Sequence, residues 1–364
     1  MTTTAAIPSP PPSINETCVE SFIGQLLTDF AGAASTAMTV IGDRLGLYRA
    51  MTGAGPLTTA ELAAAAGVNE RLVTEWLAAQ TVSGYVIHSP EAGTYELPAE
   101  HAMVLSLPDS PAYVVAAAEI IAGQYLTLDH LEDAFRRDGG IDYHHFPPSL
   151  FCGAERYFRT AFHHELADTW FAAVDGLVER LGAGARVADV GCGHGVGTVV
   201  MAQRWPHSTF VGVDIHGPSI ATARAKAVEA GDPVNVSFRV ADATALDHGP
   251  FDVVVFFDAL HDLGDPPAAL RRARDQLVPG GVVVAVEPWS LDRLCDGIGN
   301  PSVRLDYAIS TSLCTPGSLA QPGGYGLGTQ GGPAVRLALL AEAGFRNPTL
   351  AADTGVNLVL TATK

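Results

Sequence analysis

Carboxylates and glycines that follow short apolar runs mark the chemistry in this chain. Asp189 sits in the run Arg186-Val187-Ala188-Asp189-Val190, which leads into Gly191, Gly193 and Gly195 at alternate positions and then into a helical stretch, Thr198 to Arg204. Glycines so spaced permit positive φ and let the backbone approach a bound group without a Cβ in the way. Asp189 can accept hydrogen bonds from that loop or from a bound ammonium group. Asp214 ends the next apolar run, 19 residues after Gly195, where a carboxylate can take both hydroxyls of a ribose. Asp242 follows Phe238-Arg239-Val240-Ala241 and can accept from an adenine amino group. Either aspartate alone reads equally as a helix N-cap. The two in succession after the glycine turn point to an adenosine-type ligand.

Spacing separates this loop from that of the dinucleotide enzymes, whose pattern is G-x-G-x-x-G. Counted from Gly191 the third glycine position is Val196, and counted from Gly193 it is Thr198. Neither fits, and the pattern met is D-x-G-x-G-x-G. Further on, Phe257-Asp258-Ala259-Leu260-His261-Asp262 closes a nearly all-apolar run, Phe251 to Phe257. A histidine there lies at the end of the sheet that faces a ligand crevice, and its neutral form serves as a base near pH 7. Glu287 ends the following apolar run, Val282 to Glu287.

These groups need an alternation of strands and helices to hold them, and residues 185–364 supply it. Runs at 186–190, 210–214, 238–243, 251–257 and 282–287 read as parallel strands, the fourth buried on both faces. Helices are expected at 267–277 and 334–343. Strands at 348–352 and 356–363, joined by the turn Asp353-Thr354-Gly355, pair antiparallel. Between strand and helix, about 292–332 carries Gly317, Gly323, Gly324, Gly326, Gly328, Gly331 and Gly332, and is expected to be a lid on the substrate side.

Upstream, residues 18–107 read as helix (22–51), a helix capped by Thr58 or Thr59 and ended by Gly67 with Leu62, Ala65 and Ala66 on its apolar face, helix (69–83) and a hairpin (84–88 with 93–97), a winged-helix order. The second of the paired helices carries Glu70, Arg71 and Glu75 and no lysine, so phosphate contacts are scarce and a structural or dimerising role is expected instead of nucleic-acid binding. Residues 108–184 form a helical linker and substrate cap, with long helices at 113–137 and 154–181. Tyr143, His144, His145, Tyr157 and Phe158 are candidates for the acceptor wall. Residues 1–17 read as a disordered tail. No metal site is expected: His163-His164-Glu165 diverge by about 100° per residue on a helix, and His194 reads as a tolerated loop residue.

The motifs Val187 to Gly195, Val213-Asp214, Ala241-Asp242-Ala243, Phe251 to Val255 and Leu277-Val278-Pro279-Gly280-Gly281 resemble those of Rossmann-like S-adenosylmethionine-dependent methyltransferases over about 185–364. The resemblance implies an α/β fold: a seven-stranded sheet with its last strand antiparallel, behind an N-terminal, mostly helical winged-helix domain. It implies S-adenosyl-L-methionine as cofactor, with Gly191, Gly193 and Gly195 near the methionine part, Asp214 on the ribose and Asp242 by the adenine. Asp189, Ile215, Ala243, Phe257 and Asp258 complete the expected cofactor set. Leu260-His261-Asp262-Leu263-Gly264-Asp265 resembles the L-H-D-W-x-D segment of small-molecule O-methyltransferases, with Leu263 in the tryptophan's place. In that family the histidine is the catalytic base and an acid matched by Glu287 orients it. The stretch Ala37 to Met51 resembles the family's dimerising region, which implies a homodimer. The expected function is methylation of a small molecule, O-methylation with His261 as base. N- or C-methylation by proximity and a cofactor-sensing winged-helix regulator are the alternatives.

Composition fits that reading. The net charge of -18 repels a duplex or an anionic bilayer, a penalty that small molecules and a cationic cofactor do not face. Five cysteines without a C-x-x-C pair, no apolar stretch of membrane-spanning length and an N-terminus unlike a secretory leader lead to an expected cytoplasmic location.

Overall fold

The computed structural model describes residues 14–329 and 331–364; most of the tail expected at 1–17 lies outside them. The chain divides into two compact units, Met1–Pro98 and Ala99–Lys364, whereas the sequence placed the boundary at 107. No helix among the described residues is long and apolar enough to cross a membrane.

In the first unit the helix starts at Glu16, inside the expected tail, because Asn15 caps it. The single helix expected over 22–51 is two, Glu16–Arg44 and Leu47–Met51, separated where Gly46 turns to φ 68°. Thr58 and Glu61 form a reciprocal capping box at the start of Thr59–Ala66, and Gly67 closes that helix in the left-handed conformation, as its sequence signals. Asn69 caps Glu70–Val82. The hairpin is shorter than expected: β1 (Ile87–Ser89) pairs with β2 (Thr94–Glu96). Leu57 extends it through two backbone hydrogen bonds to Tyr95. Tyr48 and Trp76 pack edge to face, and the Tyr48 hydroxyl donates to Gln80 Oε1 at 2.6 Å.

The second unit centres on a seven-stranded sheet: β3 (Arg186–Val190), β4 (Thr209–Asp214), β5 (Val236–Val240), β6 (Phe251–Phe257), β7 (Leu277–Pro288), β8 (Arg346–Asp353) and β9 (Asn357–Thr363). Their spatial order is β5-β4-β3-β6-β7-β9-β8. All pair in parallel from β5 to β7, and β9 runs antiparallel to both its neighbours. Val253, Val254, Val255 and Phe256 of β6 are wholly buried, so both faces of the sheet are covered by packed side chains, as their unbroken apolar run requires. The order reverses between β3 and β6, and the crevice at such a reversal is where open α/β sheets bind ligands.

The upstream helices are more broken than their periodicity implies. The helix expected over 113–137 parts at Thr127 into Ala117–Leu126 and Leu128–Arg136. The one expected over 154–181 becomes Pro148–His164, a π-helical turn Leu166–Phe171, and Leu177–Ala183 after Gly176 at φ 67°. Residues 292–332 are not an open glycine loop. They carry a 3-10 turn (Leu294–Gly297), a helix (Pro301–Ile309), a π-helical turn (Ser310–Cys314) and a short helix (Thr315–Leu319). Most of their glycines fall in the turns after these elements.

Candidate active site

β3 delivers Asp189 into the interior, 2% exposed. Its Oδ2 accepts from the Thr198 hydroxyl at 2.5 Å, while its Oδ1 is buried without a hydrogen-bond partner. Burial pushes this carboxyl up to about 7; the Thr198 bond opposes the rise and the charge on Asp214 adds to it. An unpaired buried oxygen carries a penalty of about 1–3 kcal/mol, which an ammonium group lodged against it removes.

The glycine turn is tied to β4, since the amides of Gly191 and Cys192 donate to Val213 O at 2.8 and 3.0 Å. Gly191 (φ 79°) cannot carry a side chain, because a Cβ there would lie 2.6 Å from the Ala259 methyl. Gly193 (φ 52°) faces open space, leaving its backbone approachable. Asp214, at the end of β4, is oriented by two amides: Gly193 N donates to Oδ2 at 2.9 Å and His216 N to Oδ1 at 2.8 Å. Burial raises its pKa despite those bonds.

Asp242 is placed differently from its sequence reading. β5 ends at Val240, and Asp242 opens the following 3-10 turn Ala243–Ala245. Its Oδ1 accepts from the Thr244 amide at 2.7 Å and the Thr244 hydroxyl at 2.6 Å. Capping therefore occupies one oxygen.

At the end of β6 the chain takes up φ 51° at Asp258 and enters a short 3-10 turn, Leu260–Asp262. Burial pushes the Asp258 carboxyl up to about 7. His261 is 1% exposed and Glu287 is fully buried. His261 Nδ1 lies 2.8 Å from Glu287 Oε2. Glu287 stays ionised: burial alone would raise its pKa, but His261 and Arg336 lower it. An ionised carboxylate only accepts, so Nδ1 carries the proton and Nε2 is left toward Asp262, whose Oδ1 is 3.2 Å away. Glu287 Oε1 also accepts from the amides of Ala259 (3.3 Å) and Leu260 (3.0 Å). Burial would depress the His261 pKa, yet the charges of Asp262 and Glu287 outweigh it and hold the ring well above its ordinary value. These neighbours favour the charged form of the ring.

One cavity of about 970 Å³ joins these groups. Its wall includes Asp189, Gly191, Gly193, Asp214, Ile215, Asp242, Ala243, Phe257, Asp258 and His261, and also Tyr143, Tyr157 and Phe158. Gly195 is not on the wall: it heads the helix Val196–Arg204, and a Cβ there would strike Phe238 and Ala223. Phe257 lies on the wall but is mostly buried, its ring packed among Phe162, Trp170 and Phe171. His144 and His145 do not line the cavity. The 3-10 turn Tyr143–His145 sends the three side chains in different directions, so His144 packs on His216 at 5.0 Å and His145 on His130 at 4.8 Å.

Sequence reasoning missed three participants. Arg336 is wholly buried; its Nε reaches Glu287 Oε2 at 3.3 Å, and its other nitrogens donate to Ser290 Oγ and Thr329 O. A lone arginine three and four residues before buried Leu339 and Leu340 was the signal available. His194 is not idle either, for its Nδ1 meets Glu155 Oε2 at 3.0 Å, and Lys226 meets Oε1 at 2.8 Å. Cys314, buried on the cavity wall, is the third.

Comparison with known proteins bears on the fold and the domain content. Residues 181–312 match a methyltransferase-domain family, and residues 33–107 match the Rv2258c-like winged HTH domain. Ubiquinone biosynthesis O-methyltransferase of Pseudomonas fluorescens is 39% identical over 114 residues, 30% of this chain and 47% of that protein. Trans-aconitate 2-methyltransferase of Deinococcus radiodurans is 36% identical over 108 residues, 30% of this chain and 40% of that protein. The chain thus spans less than half the length of these curated relatives. Among solved structures, human N-acetylserotonin methyltransferase in complex with S-adenosylmethionine superposes with a TM-score of 0.67 at 20% identity, covering 94% of this chain and 97% of that one. PigF with S-adenosylhomocysteine gives 0.66 at 19%, covering 97% and 100%. The chain therefore joins a winged helix-turn-helix domain to a methyltransferase domain of Rossmann-like fold.

Proposed function

We propose that the protein is an S-adenosyl-L-methionine-dependent methyltransferase that methylates a hydroxyl of a small molecule, with His261 as general base and Glu287 orienting it. The observation that carries this reading is that a single cavity is lined by both the Asp189–Asp214 cradle and His261, whose Nδ1 is held from behind by buried Glu287. The cofactor supplies an electrophilic methyl group on a sulfonium. The chain's own residues do the rest. Asp189 Oδ1 takes an ammonium, and Asp214, held by Gly193 and His216, accepts from ribose hydroxyls. Ile215, Asp242, Ala243, Phe257 and Asp258 wall the cofactor side, while Tyr143, Tyr157 and Phe158 wall the acceptor side.

His261 receives the acceptor proton at Nε2 only once it is neutral and the acceptor hydroxyl replaces Asp262 beside that atom. Glu287 keeps the proton on Nδ1 and stabilises the imidazolium that the transfer produces. The largely apolar wall excludes water from the acceptor. The segment 292–332 contributes Leu305, Ile309 and Leu313 to it and acts as the substrate-side lid.

Supporting a homodimer, the helix Glu16–Arg44 leaves Phe22, Ile23, Leu27 and Phe30 exposed, more apolar surface than an isolated helix face usually shows. Against a nucleic-acid role, Arg71 of the helix Glu70–Val82 is engaged by Glu75 at 2.5 Å. The test is turnover of small phenols and carboxylic acids with labelled cofactor by the wild type and by His261→Ala. Labelled product from the wild type and a loss of about 10²–10⁴ in kcat for the variant support the base. Equal turnover by the two would leave transfer by proximity.

A further inference from the structure

We propose that His261, Asp262 and Cys314 form a binding site for a thiophilic divalent cation of the zinc class, open on its fourth side to the acceptor cavity. Their ligand atoms lie within 4.8 Å of one another, and all three residues line the cavity. Tetrahedral coordination with bonds of about 2.0–2.3 Å sets ligand atoms about 3.3–3.8 Å apart, so closure asks for a shift of about an ångström. Nitrogen, oxygen and sulfur donors with one open position are the donor set of catalytic zinc sites.

Three independent features favour this occupant. First, His261 donates Nδ1–H to buried Glu287, the arrangement that fixes a metal-binding imidazole with Nε2 outward. Second, buried Asp262 Oδ1 has His261 Nε2 as its ion-pair partner at 3.2 Å and no hydrogen bond of good geometry; that spacing is what two ligands of one cation require, and a cation between them replaces the pair. Third, Cys314 ends a π-helical turn, Ser310–Cys314, which widens the backbone locally, a distortion common at functional sites. Charge also balances: a thiolate and a carboxylate neutralise the dication, while Arg336 remains paired with Glu287. On binding, the thiol and Nε2 each release a proton to solvent, and no oxidation or reduction occurs.

The cation takes Nε2, the atom assigned above to accept the acceptor's proton. Cation binding and base catalysis therefore exclude each other, so the cation is an inhibitor; that consequence, not the binding itself, rests on the methyl-transfer reading.

The test is titration of the reduced full chain with cobalt(II), followed by its thiolate-to-metal absorption, and then displacement by zinc. The expected result is a band that saturates at one equivalent, disappears in Cys314→Ser and needs at least tenfold more metal in Asp262→Asn. Circular dichroism checks the fold of each variant; if Cys314→Ser is misfolded, Asp262→Asn decides. A missing band, one that survives Cys314→Ser, or unchanged affinity in folded Asp262→Asn overturns the site. Binding of S-adenosylhomocysteine by the same preparation separates that failure from a failure of the cofactor reading.

Discussion

Glu287 Oε2 holds His261 Nδ1 at 2.8 Å, with both side chains essentially removed from solvent. The pair fixes the tautomer and, with Asp262, keeps the ring charged above the usual histidine range. Base catalysis then has a definite pH signature. Activity rises along a limb whose midpoint lies above about 6.5, the unperturbed histidine value. Glu287→Gln removes one of the charges that raise the pKa, so it moves the limb to lower pH while cutting kcat. A pH–rate profile of both proteins tests this; an unshifted limb would separate Glu287 from the titrating group.

Arg336 and Glu287 form an ion pair with no exposure on either side. Removing one partner of such a pair strands a buried charge and costs about 3–5 kcal/mol. Arg336→Met is accordingly expected to lower the urea midpoint strongly, and to perturb activity through Glu287. A midpoint within error of the wild type would mean that the pair contributes little.

Asp189 has a carboxyl raised to about 7 by burial and an oxygen without a partner. A cationic ligand group favours its ionised form. Affinity for S-adenosylhomocysteine should therefore strengthen as pH rises through that value, and Asp189→Asn should flatten the dependence. Isothermal titration across pH 6 to 8 measures it. The sign for stability is opposite: with the folded pKa raised, the folded chain binds more protons than the unfolded one, so this residue's contribution declines as pH rises from about 4 toward 7.

The alternating glycine loop is pinned from outside the sheet, since Glu155 of the helix Pro148–His164 holds both His194 and Lys226. Glu155→Gln should raise KM for the cofactor by about three- to tenfold, the span of one charge-assisted hydrogen bond partly screened by solvent, with kcat little changed. A fall in kcat at constant KM would show that the clasp acts on the acceptor instead.

The parts of the site that could be read in advance are local in sequence. Asp189 with its glycines, Asp214 and His261 stand at strand ends, where apolar runs stop and a polar residue begins. Glu287 was legible for the same reason. Arg336 was not, because it reaches Glu287 only through packing of the helix Gly332–Glu342, 49 residues further along the chain. Cys314 likewise enters the cavity from a segment whose glycines suggested a loop. The over-long helices arose because an apolar face continues through a break: Gly46, Thr127 and Gly176 interrupt the backbone while neighbours on either side still face a core. Asp242 shows the reverse case, a residue that performs the capping role weighed against its ligand role.

The most direct measurement is calorimetric titration of the wild type and Asp214→Ala with S-adenosylhomocysteine, alongside NAD. One site per chain in the wild type is expected, weakened about tenfold to a hundredfold in the variant through loss of charge-assisted hydrogen bonds, with no heat from NAD. Absence of heat with S-adenosylhomocysteine, together with tight binding of NAD, would contradict the assignment of the cavity.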